Sequence, residues 1–238
     1  MKLPFPHSAS GFTLIELAIA MLIIGLLVGG LLAPLAAQIE QRKLTETQKA
    51  LQEIKEALVG FAVTNGRLPC PDYDTDPTAA GYGVEDISCS AVPAAEGYLP
   101  WKTLGVSDLD GWGTKRIAAT SPRIGDWRYR VDRNYVTTTG FKSFALMPAP
   151  PSPFLDDLRV QDRAGNDLAA AQERAIAIVF SAGKDTSANL ANALFDQIYT
   201  SDTPDNLVPS DPGHFDDVVA WLSRPLIVNR MVAAGRLP

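Results

Sequence analysis

Histidine and cysteine are scarce, with two of each in 238 residues. So thin a supply leaves few ligands for a zinc or iron–sulfur site. Only His214 stands beyond the first ten residues, which disfavours a His-based triad. No G-x-S-x-G, H-E-x-x-H or kinase signature is present. Positive charge is also short: Lys+Arg 21 against Asp+Glu 27 gives a net charge of −6. A general nucleic-acid binder needs a basic face to displace counterions, so that class is argued against. Internal repeats are lacking, and so is a second long apolar run. With 46% hydrophobic and 20% charged residues, the chain is neither wholly disordered, nor collagenous, nor a polytopic membrane protein.

What is present is one uneven concentration of apolar residues. From Phe12 to Ile39 the only polar side chains are Thr13, Glu16 and Gln38. As a helix this stretch spans ~40 Å, against a hydrocarbon core of ~30 Å. It reads as one membrane anchor followed by a water-facing remainder. A cleaved secretory signal is the alternative, and Ala33-Pro34-Leu35-Ala36-Ala37 offers small residues for it. The apolar run is longer than a usual h-region of ~7–15 residues, and a carboxylate sits near its start. A carboxylate inside a bilayer costs roughly 2.5–3.5 kcal/mol on insertion scales, which marks Glu16 as a functional residue. Gly25 and Gly29 form a GxxxG pair that lets helices approach closely, although glycine is common in membrane helices anyway.

Residues Gly11-Phe12-Thr13-Leu14-Ile15-Glu16 resemble the N-terminus of the type IV pilin and type II secretion pseudopilin superfamily. In that family a short leader ends in Gly, a prepilin peptidase cuts after it on the cytoplasmic face, and the new N-terminal residue is N-methylated. A Glu stands fifth in the mature chain; counted from Phe12, Glu16 is fifth. The resemblance implies a leader over 1–11, cleavage between Gly11 and Phe12, methylation of Phe12 and an assembly role for Glu16. There the Glu pairs with the terminal amine as helices enter the filament core. Pro34 is twenty-third in the mature count, one place later than the proline often found in the family.

The implied layout is a transmembrane and filament-core helix over 12–37, an amphipathic helix over 38–65 and a periplasmic head over 66–238. The residues support the middle part directly. Leu44, Leu51 and Leu58 recur every seventh position, with Thr47, Ile54 and Phe61 offset by three. Such a stripe packs on a globular head or, as the rival, in a coiled coil. Asn65-Gly66 ends the helix. In the head, strands are expected at Trp127–Val131, Ser143–Met147 and Ala175–Phe180, and helices at Ala188–Tyr199 and Arg224–Leu237, the last with Ser223 as cap and Pro225 in its first turn. The fold class is α+β, pilin-like, a small antiparallel sheet laid against the long N-terminal helix. Gly111-Trp112-Gly113 followed by Tyr129-Arg130-Val131, and Phe180–Asp185 with Phe215–Trp221, resemble short segments of major pseudopilin heads.

Cys70 and Cys89 fall in the part the resemblance places in the periplasm, where disulfides persist. A bridge across that loop is worth ~3 kcal/mol in the chain-entropy model. There is no C-x-x-C to suggest redox catalysis. Asp72, Asp74 and Asp76 alternate as in the first half of an EF-hand, but Pro77 and Gly83 occupy positions that need Gly and Glu, so an acidic surface loop is the better reading. Major pseudopilins bind calcium in the loop before their closing segment; the matching residues here are Asp185 and Asp216 or Asp217. Gly183-Lys184-Asp185-Thr186 is read as a turn, not a phosphate loop. The four tryptophans are read as core. The expected function is a non-enzymatic structural subunit, pseudopilin or minor pilin. Its partners would be sister subunits, the prepilin peptidase and the inner-membrane assembly platform. The alternative is a single-pass anchored periplasmic enzyme or ligand-binding protein.

Overall fold

The computed structural model describes residues 13–86, 89, 96–113, 126–139, 141, 156–194, 196–205, 207, 209–211 and 213–237, without the side chains of 28–34. The chain divides into two compact units, Met1–Arg42 and Lys43–Pro238, each described by itself. Helix α1 runs Leu14–Asn65.

In the first unit every described residue from Thr13 to Leu27 is exposed, including Leu14 at 88% and Leu26 at 76%. Apolar side chains exposed all round a helix have no partner within their own unit. Among the described residues, no helix is long and apolar enough to cross a membrane.

In the second unit the heptad stripe finds its partner. Leu51, Ile54, Leu58, Val59 and Ala62 are buried in one core with Tyr129, Val131, Ile176, Val179 and Leu222. The head-packing reading therefore holds. Thr47, a polar member of the stripe, is fully buried, and its hydroxyl accepts the Gly111 N–H at 2.9 Å. At Gly111 an added Cβ would stand 2.2 Å from the Lys43 carbonyl oxygen. The helix ends at Asn65 as expected, with Gly66 at φ +70° and its N–H bonded to the Ala62 carbonyl.

Among the described residues, strands β1 (Gly97–Tyr98), β2 (Arg128–Val131), β4 (Ala175–Ser181) and β6 (Val218–Ser223) form an antiparallel sheet in the order β1-β2-β4-β6. The α+β class stands. All seven residues of β4 are buried because it lies between two cores. Ala177 and Val179 face the α1 core, while Ile178 and Phe180 face a second cluster with Leu158, Val160 and Tyr199. A bulge between Ala175 and Ala177 interrupts the alternation, so Ile176 joins Ala177 on the α1 side. The second cluster is capped by a parallel pair, β3 (Arg159–Gln161) and β5 (Ile198–Thr200), which the sequence reading lacked.

Three expectations need revision. The helix over Ala188–Tyr199 is instead a 3-10 turn, Leu190–Ala193, followed by β5. The fully buried Asn192 side chain explains it. Its amide accepts from Thr200 N at 2.8 Å and donates to Thr200 O at 3.0 Å and to Asp217 Oδ2 at 2.7 Å. These bonds hold a turn against a strand, and Leu190 at φ +48° leaves helical geometry altogether. The terminal helix, α3, is shorter than expected at Arg224–Ala233, after the one-turn α2 at Trp101–Leu104. Its Pro225 lies in the first turn, but Ser223 occupies the cap position without a side-chain cap bond. Gly235 at φ +66° closes α3, with Arg236 N bonded to Met231 O at 2.9 Å. Of the tryptophans, Trp127 is core at 1% exposure; Trp101, Trp112 and Trp221 are only partly buried. The expected strand Ser143–Met147 lies outside the described residues.

Candidate functional site

The first candidate site is the start of α1. Gly11 and Phe12 lie outside the described residues. From Thr13 on, the geometry is a capping box. Thr13 N and Oγ1 both donate to Glu16 Oε2, at 2.9 and 2.7 Å, and Glu16 N donates to Thr13 Oγ1 at 3.3 Å. Helix N-termini leave backbone N–H groups without intrahelical partners, and this exchange satisfies two of them. Glu16 thus has a local duty besides the one the resemblance gives it. The signal Thr-x-x-Glu was legible in the sequence.

The second candidate site lies between β4 and β6. The turn Gly183–Thr186 follows β4 as anticipated, and residues 213–217 lead into β6. Gly183, at φ +64°, is required there, because a Cβ would meet the Asp216 carbonyl oxygen at 2.3 Å. Asp185 N donates to Asp216 Oδ2 at 2.9 Å, and Asp216 N donates to Asn189 Oδ1 at 2.8 Å. So Asp185 and Asp216 do meet. Asp217 does not join them: its Oδ2 accepts from Asn189 N at 2.8 Å and from Asn192. Burial pushes the Asp217 carboxyl up to about 8, against the hydrogen bonds from Asn189 and Asn192. Burial also raises Asp216, helped by the Asp185 carboxylate and opposed by the Asp185 amide.

The residue that sequence reasoning missed is His214. Its Nε2 stands 3.5 Å from Asp185 Oδ2 and 3.6 Å from Asp216 Oδ1. Its Nδ1 lies 3.1 Å from Asp205 Oδ1. Asp205 in turn accepts from Phe215 N at 3.1 Å and from Arg163 at 2.9 Å. Asp185, His214 and Asp216 are the described group of His, Cys, Asp and Glu whose ligand atoms converge, all within 4.8 Å of one another.

The EF-hand-like acids are engaged otherwise. Asp72, Asp74 and Asp76 each accept the N–H two residues on, at 2.8, 3.0 and 2.8 Å, and Asp72 Oδ2 also takes Gly83 N at 2.7 Å. They build successive Asx turns, and Asp72 is buried rather than solvated. Cys70 and Cys89 are joined in a disulfide, with Cα atoms 5.7 Å apart. A groove of about 750 Å³ runs beside β6, with Lys49 and Asp202 as its charged lining residues.

An N-terminal helix and a small antiparallel sheet with a disulfide-closed loop make an α+β head-bearing chain. Residues 6–32 match the family model described as the prokaryotic N-terminal methylation motif, the hallmark of the type IV pilin and pseudopilin prepilin-type segment. No curated protein and no solved structure matches the chain.

Proposed function

We propose that this chain is a non-enzymatic structural subunit, a pseudopilin or minor pilin, of a type IV pilus-like or type II secretion filament. It is made with a leader over residues 1–11, cut by a prepilin peptidase between Gly11 and Phe12, and N-methylated at Phe12. Residues 12–37 hold it in the inner membrane, with the head in the periplasm, until sister subunits and the assembly platform take it up. The methylation motif over residues 6–32 carries this reading. The exposed apolar side chains from Leu14 to Leu27 support it, since they need lipid or other helices around them.

The test separates the two duties of Glu16. Gln retains a capping box but not the charge. Glu16→Gln is therefore expected to insert, to be processed and to fail in filament assembly. Thr13→Ala, which loses about 1 kcal/mol of cap and keeps the carboxylate, is expected to assemble. The readouts are a mature-size band on a gel and co-purification with partner subunits. Assembly of Glu16→Gln at the wild-type level refutes the charge pairing. Retention of Met1–Gly11 in the presence of the peptidase refutes the whole reading, and Gly11→Val supplies the unprocessed standard.

A further inference from the structure

Calcium, the ion that the family resemblance implies, is a poor fit to the residues gathered here. Ca²⁺ takes six to eight oxygen ligands. This cluster offers two unshared carboxylate faces with an imidazole nitrogen between them. Each carboxylate has already committed its other oxygen: Asp185 Oδ1 accepts Ser187 N at 2.8 Å, and Asp216 Oδ2 accepts Asp185 N.

From the arrangement of Asp185 Oδ2, His214 Nε2 and Asp216 Oδ1 we infer a binding site for a borderline divalent cation of the zinc class, clipping the turn after β4 to the segment entering β6. Three observations carry it. First, two of the three atoms are buried without a hydrogen bond. His214 and Asp216 are 9% and 6% exposed, and neither Nε2 nor Oδ1 has a hydrogen-bond partner. Buried polar atoms in native structures nearly always have one. Second, the imidazole is held from behind. Asp205 Oδ1 can only accept, so Nδ1 donates to it, and the neutral form of the ring turns its Nε2 lone pair toward the two carboxylates. A carboxylate behind the ligating imidazole is the usual support of a metal-bound histidine. Third, the spacing suits ligands around one ion. Separations of 3.5 and 3.6 Å exceed the hydrogen-bond range. Two tetrahedral ligands ~2.1 Å from a zinc ion stand ~3.4 Å apart. The spacing alone would suit other ions; the nitrogen donor selects the zinc class. Three protein ligands leave a fourth position for water.

The experiment uses the full chain in detergent, dialysed against a chelator, and titrated with Zn²⁺ alone and with Ca²⁺ alone. Calorimetry is expected to find one Zn²⁺ per chain with micromolar or tighter affinity. A hundredfold excess over Kd is expected to raise Tm by roughly 5–10 °C. Millimolar Ca²⁺ is expected to leave Tm unchanged. His214→Gln is expected to weaken Zn²⁺ at least a hundredfold, and Asp205→Asn about 10–100-fold through the lost support of the imidazole. Should His214→Gln fail to fold, Co²⁺ on the native chain decides, through visible bands of a four-coordinate ion that Zn²⁺ abolishes. Absence of Zn²⁺ binding, Zn²⁺ affinity unchanged in folded His214→Gln, a Tm rise with Ca²⁺ alone, or Co²⁺ without those bands each overturns the inference.

Discussion

Gly111→Ala tests the joint between α1 and the head. The new Cβ would stand 2.2 Å from the Lys43 carbonyl oxygen and 2.8 Å from Thr47 Oγ1. A carbon and a carbonyl oxygen ordinarily sit about 3.3–3.6 Å apart. The obstacle is helix backbone, so either the Asp110–Gly113 turn or the helix must retreat by about 1 Å. Overpacking of this kind costs about 1–3 kcal/mol. Retreat also breaks the bond from Gly111 N to Thr47, leaving a buried hydroxyl short of a donor at about 1–3 kcal/mol. Loss of glycine freedom in the unfolded chain returns about 0.4–1 kcal/mol. The net expectation is a loss of about 1–5 kcal/mol, or roughly 2–20 °C in Tm for a chain of this size. Gly60→Ala is the matched control. Gly60 lies inside α1 with no heavy atom within 4 Å of the added Cβ, so alanine is expected to stabilise by about 0.5–1 kcal/mol. Tryptophan fluorescence during thermal and urea unfolding reads both. If Gly111→Ala melts with the wild type, or if the two substitutions act in the same direction, the close-approach argument is refuted.

Reduction of Cys70–Cys89 is expected to lower stability by about 3 kcal/mol, and thiol labelling of the unreduced, denatured chain to find no free cysteine; labelling of both sulfurs refutes the bridge. Burial raises the Asp110 carboxyl above its ordinary value, against the Ser181 hydroxyl and the Gly113 and Trp112 amides. A raised folded value means the native state holds the proton more tightly. This contribution is complete below the unfolded value near 3.8 and is lost as pH rises through the folded one. Asp110→Asn is expected to remove that drift, so the wild type loses ground to the variant from about pH 4 upward, by at most about 1.4 kcal/mol per pH unit. Parallel curves in urea melts across that range refute it.

Local periodicity and local motif were enough for much of this protein. The seven-residue recurrence of Leu44, Leu51 and Leu58 announced a helix face, and the unbroken apolar run of β4 announced a strand, because side-chain repeat is tied to backbone geometry. The methylation segment and the Thr13–Glu16 box are likewise written within a few residues. Other features depend on contacts across long sequence separations. Asn192 undoes a helix through bonds to Thr200 and Asp217. Gly111 is required by α1, sixty-four residues earlier. The pairing of β4 with β6 sets Ser181 opposite Val218. That register brings the turn carrying Asp185 beside His214 and Asp216. His214 and Asp216 stand two residues apart in one stretch, but Asp185 comes from the other, so the cluster is complete only once the antiparallel ladder has closed.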